Sequence, residues 1–367
     1  MIESTGIEAP SSVYEALAER LRKSIRRGDF QPGQLLGSEH ELARQQSISR
    51  MTVRRASEIL VSEGLIERRP GRGLYVCSGS VGTTLVQVVA GNLEWEPSLQ
   101  VSRGVQQVAR QRGIQVQLYD AHGDELLDLE MLRRLPGGMA KGAVIVSLHG
   151  PRFNEAVYEL RSKRFPFVLA DQRLHDIEVP SVTADNYAGG YDVGKLLLGN
   201  GHRRIAFVGD LVASTVRDRL SGLRDAIADA GVAFDRSLVV DLLADKDRLG
   251  DWSAHIEKAV SDLMSRPTPP TAVFFSCDGV ARPGLRAMLR MGIRVPHDVS
   301  IVGFDDDPIA EWLQPGLTTV RQPFAQMGEA AIDLLCKLIA DPNAKVEHHT
   351  LPVQLVERGS VGPVRSA

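Results

Sequence analysis

Residues 47–55 read SISRMTVRR, and residues 67–76 read ERRPGRGLYV. A serine ahead of an amphipathic run marks a helix start, and Pro70-Gly71-Arg72-Gly73 between two β-prone stretches marks a hairpin tip. Ser49 is the expected N-cap of a helix that reaches about Gly64. At the helical period Val53, Ala56 and Leu60 share one face, while Arg50, Met51, Arg54 and Arg55 lie on the opposite half. One side of this helix is built to pack and the other to meet something charged.

Upstream, Ser38 and Glu41 stand at the spacing of a capping box, opening a second helix that buries Leu42 and Ala43. Segment 12–28, SVYEALAERLRKSIRRG, sets Tyr14, Leu17, Leu21 and Ile25 on one stripe, with Ser12 and Glu15 as a further capping box and Gly28 at the C-cap. Helix, helix, turn, helix and basic hairpin predict a winged helix-turn-helix. Charge agrees: residues 20–77 hold twelve Lys+Arg against six Asp+Glu, a local +6, whereas residues 78–367 balance at −5. An isolated arginine cluster is usually a solvated helix face. A cluster seated on a three-helix pattern with a basic wing suits a polyanion. Arg50 and Arg54, one turn apart, match the bidentate donors of guanine edges in the major groove. Ser49 and Thr52 suit phosphates, and Gly71 and Gly73 let the tip approach a backbone with Arg72 beside it.

The stretch PGQLLGSEHELARQQSISRMTVRRASEILVSEGLIERRPGRGLYV resembles the GntR-family DNA-binding domain, over about residues 12–77. The resemblance implies DNA contacts at His40, at Ser49, Arg50, Met51, Thr52 and Arg54, and at Gly71 in the wing. His40 and Met51 depart from the commoner polar or basic choices at their positions.

A chain of 367 residues exceeds one ordinary domain, and 43% hydrophobic residues supply real cores. No run of eighteen apolar residues occurs, and MIESTGIEAPSS lacks the charged and apolar regions of a secretion signal, so a cytoplasmic protein with no membrane partner is expected. Cys77, Cys277 and Cys336 are far apart and form no CxxC pair, so neither disulfides nor structural zinc are expected. Past the linker SGSVGT (78–83), helices and strands alternate: TLVQVVAG, IQVQLYD, GAVIVSL, PFVLAD and RRIAFVGD are strands, several of them continuously apolar. That pattern predicts parallel sheets covered on both faces, long enough for two doubly wound lobes.

VPSVTADNYAGGYDVGKLLLGNGHRRIAFVGD, VRDRLSGLRDAIADAG and SCDGVARPGLRAMLRMGIRVPHDVSIVGFDDDPIAEWLQPGLTTVRQPFAQMGEAAIDLLCKLI resemble the LacI/GalR effector domain, which has the periplasmic sugar-binding fold. The resemblance covers about residues 84–360. The whole is similar to the bacterial arabinose-responsive repressor type. The expected fold is therefore multidomain. It has a winged helix-turn-helix over 1–77 and a two-lobed α/β effector and dimerisation domain with parallel doubly wound sheets over 84–362. Lobe 1 is expected at about 84–180 and 318–345, lobe 2 at about 181–317 and 346–360. The resemblance implies a ligand pocket between the lobes holding Asp171, Arg219, Cys277 and Asp305, with Ser147 and the loop of Trp95 beside them. Carboxylates, a guanidinium and an aromatic face suit a polyhydroxylated ligand such as a sugar. Cys277 departs from the polar amide or acid usual there. Each of these residues also has a plainer use: Asp305 and Asp306 as loop-ordering carboxylates, Arg219 as an ion-pair partner, Cys277 as a small hydrophobe.

Taken together, the expectation is a homodimeric bacterial repressor that binds operator DNA under control of a small ligand and needs no cofactor. The alternative is an enzyme or ligand-binding protein using the two-lobed body, with the N-terminal module as an appendage. No phosphate loop, GxSxG elbow or HExxH is present to support an enzyme.

Overall fold

A computed structural model describes residues 13–26, 29–31, 33–63, 65–69, 71–77, 84–146, 151–174, 176–243 and 252–364. The chain divides into two units, 1–84 and 85–367.

The first unit contains α1 (Val13–Arg26), β1 (Leu35–Gly37), α2 (Glu39–Gln46), α3 (Arg50–Ser62), β2 (Ile66–Arg69) and β3 (Gly73–Val76). The Ser38/Glu41 capping box forms with both of its bonds, and Ser49 caps α3 by accepting from the Thr52 amide. These caps fix where each helix begins, which in turn fixes which face each buries. Val53, Ala56 and Leu60 are buried together with Leu17, Ile25, Leu42 and Ala43, and Tyr14 and Leu21 pack against them. β2 and β3 form the antiparallel wing, and β1, which no pattern announced, adds a third strand beside β3. The expected caps at Ser12 and Gly28, the proline of the wing tip and the 78–83 linker lie outside the described residues.

The second unit runs β4 (Leu85–Ala90), α4 (Glu96–Gln111), β5 (Gln115–Asp120), α5 (Glu125–Arg134), β6 (Gly142–Val146), α6 (Pro151–Ser162), β7 (Phe167–Ala170) and β8 (Ser181–Ala184). It continues through α7 (Asn186–Gly199), β9 (Ile205–Gly209), α8 (Ser214–Asp229), β10 (Val239–Asp241), α9 (Trp252–Met264), β11 (Ala272–Phe275) and α10 (Asp278–Arg290). It ends with β12 (Ser300–Val302), α11 (Ile309–Trp312), β13 (Thr319–Arg321), α12 (Phe324–Ala340), β14 (His348–Leu351) and β15 (Gln354–Val356). Lobe 1 is a six-stranded sheet ordered β14-β8-β7-β6-β4-β5, and lobe 2 a four-stranded sheet ordered β10-β9-β11-β12. Both are parallel, with apolar clusters on each face, as continuously apolar strands require.

All three boundaries differ from the expected division. Ser181–Ala184 pairs with β7, and His348–Leu351 pairs with β8, so both strands belong to the sheet of lobe 1 and not to lobe 2. β13, expected in lobe 1, belongs instead with lobe 2, paired with β15 and bridged to β12 through Val302 and Thr318. The chain therefore crosses between lobes near residues 185, 322 and 352. Strands of four residues are too short to show a periodicity that tells one sheet from the other.

Helices α7 and α8 cross so closely that a Cβ at Gly190 would lie 2.1 Å from the Arg219 carbonyl oxygen, and one at Gly222 would lie 2.1 Å from that of Tyr187. This approach brings Asn186, at the start of α7, within reach of the Arg219 guanidinium. Gly190→Ala should cost about 1–3 kcal/mol by overpacking, measured as a fall in the urea midpoint with the slope unchanged. A wild-type midpoint would mean that the crossing tolerates a methyl group and does not set the position of Arg219.

Candidate functional site

The first unit presents one coherent face. Arg50, Met51, Arg54 and Arg55 on α3 are all exposed, as is His40 on α2. The hydroxyls of Ser49 and Thr52 lie 2.8 Å apart, so the capping serine and its neighbour stand together at the helix start. Arg54 reaches Glu58 at 3.2 Å, a helical pair that keeps its side chain along the outer face. Gly71 has φ +71° with nothing within 4 Å of where a Cβ would be, so its backbone conformation and not crowding inside the protein calls for glycine. Arg72, exposed, follows it at the wing tip.

No sequence pattern pointed to Glu39. This carboxylate pairs with Arg68 of the wing at 2.8 Å and lies 3.6 Å from Arg50. Arg68 also donates to Ser57 of α3 at 3.2 Å, so one ionic cluster ties α2, α3 and the wing.

In the second unit the functional side chains emerge where strands end, as expected for open α/β sheets. Asp171 follows β7, Cys277 follows β11 and Asp305 follows β12. Six non-glycine residues among those described have positive φ, and three are carboxylates at this level: Asp171, Asp305 and Asp306. Such backbone costs free energy and persists only where the surroundings impose it, which marks these loops as built for their side chains.

Arg219, only 4% exposed, is held from four directions. Its Nε donates to Asn186 Oδ1 at 2.8 Å and its Nη1 to the Ser276 carbonyl. Its guanidinium carbon lies 3.8 Å from the centre of the Phe304 ring, and Nη1 lies 3.6 Å from Asp305 Oδ1. Asp305 also accepts from Gln322 Nε2 at 2.6 Å. Burial pushes the Asp305 carboxyl well above its ordinary range; Arg219 opposes that shift, and the Asp278 and Asp171 carboxylates add to it. Burial likewise pushes the Cys277 thiol up to about 12, reinforced by Asp305, so this residue stays a neutral, weakly bonding thiol.

Beneath them Asp278, wholly buried, accepts from Thr319 Oγ1 at 2.7 Å and from the Asp307 amide at 2.9 Å, tying the 305–307 loop to the crossing strand β13. Burial raises its carboxyl to about 7 against those two hydrogen bonds. Asp306 is clamped by Arg321 and Arg358, each at 2.7 Å.

Of these groups Asp305, Asp306 and Gln322 line a cleft of about 250 Å³, together with Glu96, Pro97 and Gln100 from lobe 1; Asp171, Arg219 and Cys277 do not line it. Gln322 is 6% exposed, and its Oε1 has no hydrogen-bond partner among the described residues. An acceptor so placed calls for a donor from water or from a bound molecule. Arg219, Cys277 and Asp305 thus come together, and Asp171 lies close enough for its charge to be felt at Asp305. Trp95 stands at the N-cap of α4 beside Glu96 and is 57% exposed. Ser147 lies outside the described residues. Glu96, Asn186 and Gln322 were missed because single polar residues at helix starts and strand ends form no pattern. Among the described residues, no group of three or more His, Cys, Asp or Glu is placed to hold a metal ion.

Comparison with known proteins adds independent findings. Residues 13–76 match the family model of bacterial regulatory proteins of the gntR family, and residues 195–361 match that of a periplasmic binding protein-like domain. The arabinose metabolism transcriptional repressor of Geobacillus stearothermophilus is 27% identical, over 89% of this chain and 91% of that protein. The crystal structure of the transcription regulator CcpA of Lactococcus lactis superposes with a TM-score of 0.68 at 26% identity, covering 76% of this chain and 99% of that one. A complex of the transcriptional regulator CelR with cellobiose gives a TM-score of 0.67 at 25% identity, over 88% and 99% of the two chains.

Proposed function

Because this chain joins an N-terminal GntR-type helix-turn-helix domain to a LacI/GalR-like periplasmic-binding-fold domain, and is a ligand-responsive, DNA-binding transcription regulator, we propose a division of labour between its residues. Arg50 and Arg54 read base edges, Ser49 and Thr52 hold phosphates, and Gly71 with Arg72 places the wing on the backbone. His40 at the start of α2 faces the same duplex. The protein works as a homodimer on paired half-sites, since one such module seldom gives enough affinity or site length. Its DNA target places the regulator in the cytoplasm. Among the described residues no helix is long and apolar enough to cross a membrane. It is a regulator and not an enzyme.

The effector is a small polar molecule, a sugar or sugar derivative, bound between Asp171, Arg219, Cys277, Asp305 and Gln322, with Trp95 at the margin. Asp305, paired with the buried Arg219 and lining the cleft beside Gln322, carries this reading. A volume of about 250 Å³ lies below the roughly 300–1,000 Å³ of drug-sized sites and suits a molecule of monosaccharide size. The cellobiose held by CelR and the arabinose metabolism of the Geobacillus relative point the same way. A thermal-shift screen with sugars, polyols, nucleosides and amino acids tests it, because a ligand that binds only the folded state raises the melting temperature. A hit confined to amino acids or nucleosides would refute a sugar.

For the reader, Arg54→Ala should weaken binding to a selected duplex by about 1–3 kcal/mol and relax base preference at one position. Replacing Arg72 should weaken binding to all sequences and flatten the salt dependence. Gel-shift titrations at several salt concentrations separate the two. Unchanged affinity in both variants would remove α3 and the wing from the interface.

A further inference from the structure

The first turn of α3 carries one exposed apolar side chain, since Val53 is buried and Met51 is not. Met51 is 60% exposed and stands outside the core cluster of its domain. Its neighbours all have polar engagements: Ser49 with Thr52, Arg50 near Glu39, Arg54 with Glu58. A long thioether held in water on a basic face brings no packing benefit, so its use is to be sought outside the chain. Methionine has no hydrogen-bond donor and only a weak acceptor, so it cannot read the polar edges of guanine, cytosine or adenine. The major groove offers one apolar group to a side chain, the 5-methyl of thymine. An unbranched, polarisable side chain with three rotatable bonds can settle against that methyl while Arg50 and Arg54 on the same helix take guanine edges.

We propose that Met51 determines specificity by packing on the 5-methyl group of a pyrimidine in the major groove, placing an obligatory thymine beside the bases read by the arginines. The inference rests on α3 being the base-reading helix. Its source of methyl is thymine; a 5-methylcytosine presents the same group and is separated by the test.

The full-length protein is used to enrich a duplex from a random pool, and each thymine of that duplex is replaced in turn by deoxyuridine, which lacks only the methyl. One position in each half-site should lose about three- to fivefold in affinity, the scale of one buried methyl group. Met51→Ser should bind thymine and uracil duplexes alike at that position, and Met51→Leu should keep most of the preference. Because Met51 is exposed, both variants should melt with the wild type. Putting 5-methylcytosine at the sensitive position should restore less than thymine does, because its amino group replaces the thymine carbonyl. Restoration above the thymine level would overturn thymine as the source. Indifference of the wild type to every uracil substitution, or an equal loss in Met51→Ser, overturns the proposal. Failure to enrich any duplex would overturn the DNA-reading role of α3 and this inference with it.

Discussion

Arg219→Ala should destabilise the α/β unit by about 3–5 kcal/mol and abolish the ligand response, while DNA binding without ligand stays within a few fold. The cost does not come from a lost contact alone. Removing the guanidinium leaves Asn186 Oδ1 and the Ser276 carbonyl without their donor and Asp305 buried without its cation. Burial already pushes the Asp305 carboxyl up, with Arg219 holding it down, so the variant can escape part of the penalty by protonating that carboxyl. Asp305 would then have a higher folded-state pKa in the variant than in the wild type. The variant's deficit should therefore be small in acid and grow as pH rises through that window. Urea titrations at pH 5 and pH 8 give the stability difference, and calorimetry with the screened effector gives the ligand response. Asp305→Ala should abolish binding in the same assay. If both variants bind at wild-type affinity, the pocket lies elsewhere.

The second large effect is expected at a buried carboxylate of α5. Asp128, in the first turn of α5, is 6% exposed, and its Oδ1 has no hydrogen-bond partner among the described residues. Burial raises its carboxyl from 3.8 to about 7, and the neighbouring Asp120, Asp124 and Glu125 carboxylates push in the same direction. In the unfolded chain the same carboxyl returns to the ordinary range. Between about pH 4 and pH 7 the folded state therefore holds a proton that the unfolded state has released, and stability falls as pH rises through that window. A rise of that size is worth about 4 kcal/mol as an upper bound. Asp128→Asn removes the charge and keeps the shape. It should match the wild type near pH 4, exceed it by several kcal/mol at pH 8, and show the difference in paired urea titrations. Taking the difference between the two proteins cancels other titrating groups such as Asp278. Equal stability at both pH values would mean that Asp128 finds a partner in solution.

What the sequence disclosed was mostly what repeats or what caps. Ser38, Glu41 and Ser49 have local, one-directional geometry, so their roles were legible at once and fixed the face on which Val53, Ala56 and Leu60 would be buried. The apolar strands announced two parallel sheets for the same reason. The cleft was legible only through family resemblance, because a ligand site gathers one residue from each of several distant strand ends. Asn186 reaches Arg219 only because Gly190 lets two helices nearly touch, and no short window of sequence shows that approach. The left-handed backbone at Asp171, Asp305 and Asp306 is equally silent, since aspartate is permitted but not required there. The ownership of β8 and β14 was missed because pairing partners, not local pattern, decide it.

That ownership sets a timetable on the ribosome. The reader's last strand closes at Val76, whereas the sheet of lobe 1 waits for β14, which does not end until Leu351. At roughly 5–20 residues per second the interval is on the order of 15–55 s, and domains generally fold as units from the N-terminus. During it the emerging chain carries a DNA-reading module whose core is complete, tethered to a lobe whose β8 edge still exposes the backbone groups that β14 will pair. A chain cut short anywhere between those points keeps the core of the reading module and lacks the strand that completes the sheet of lobe 1.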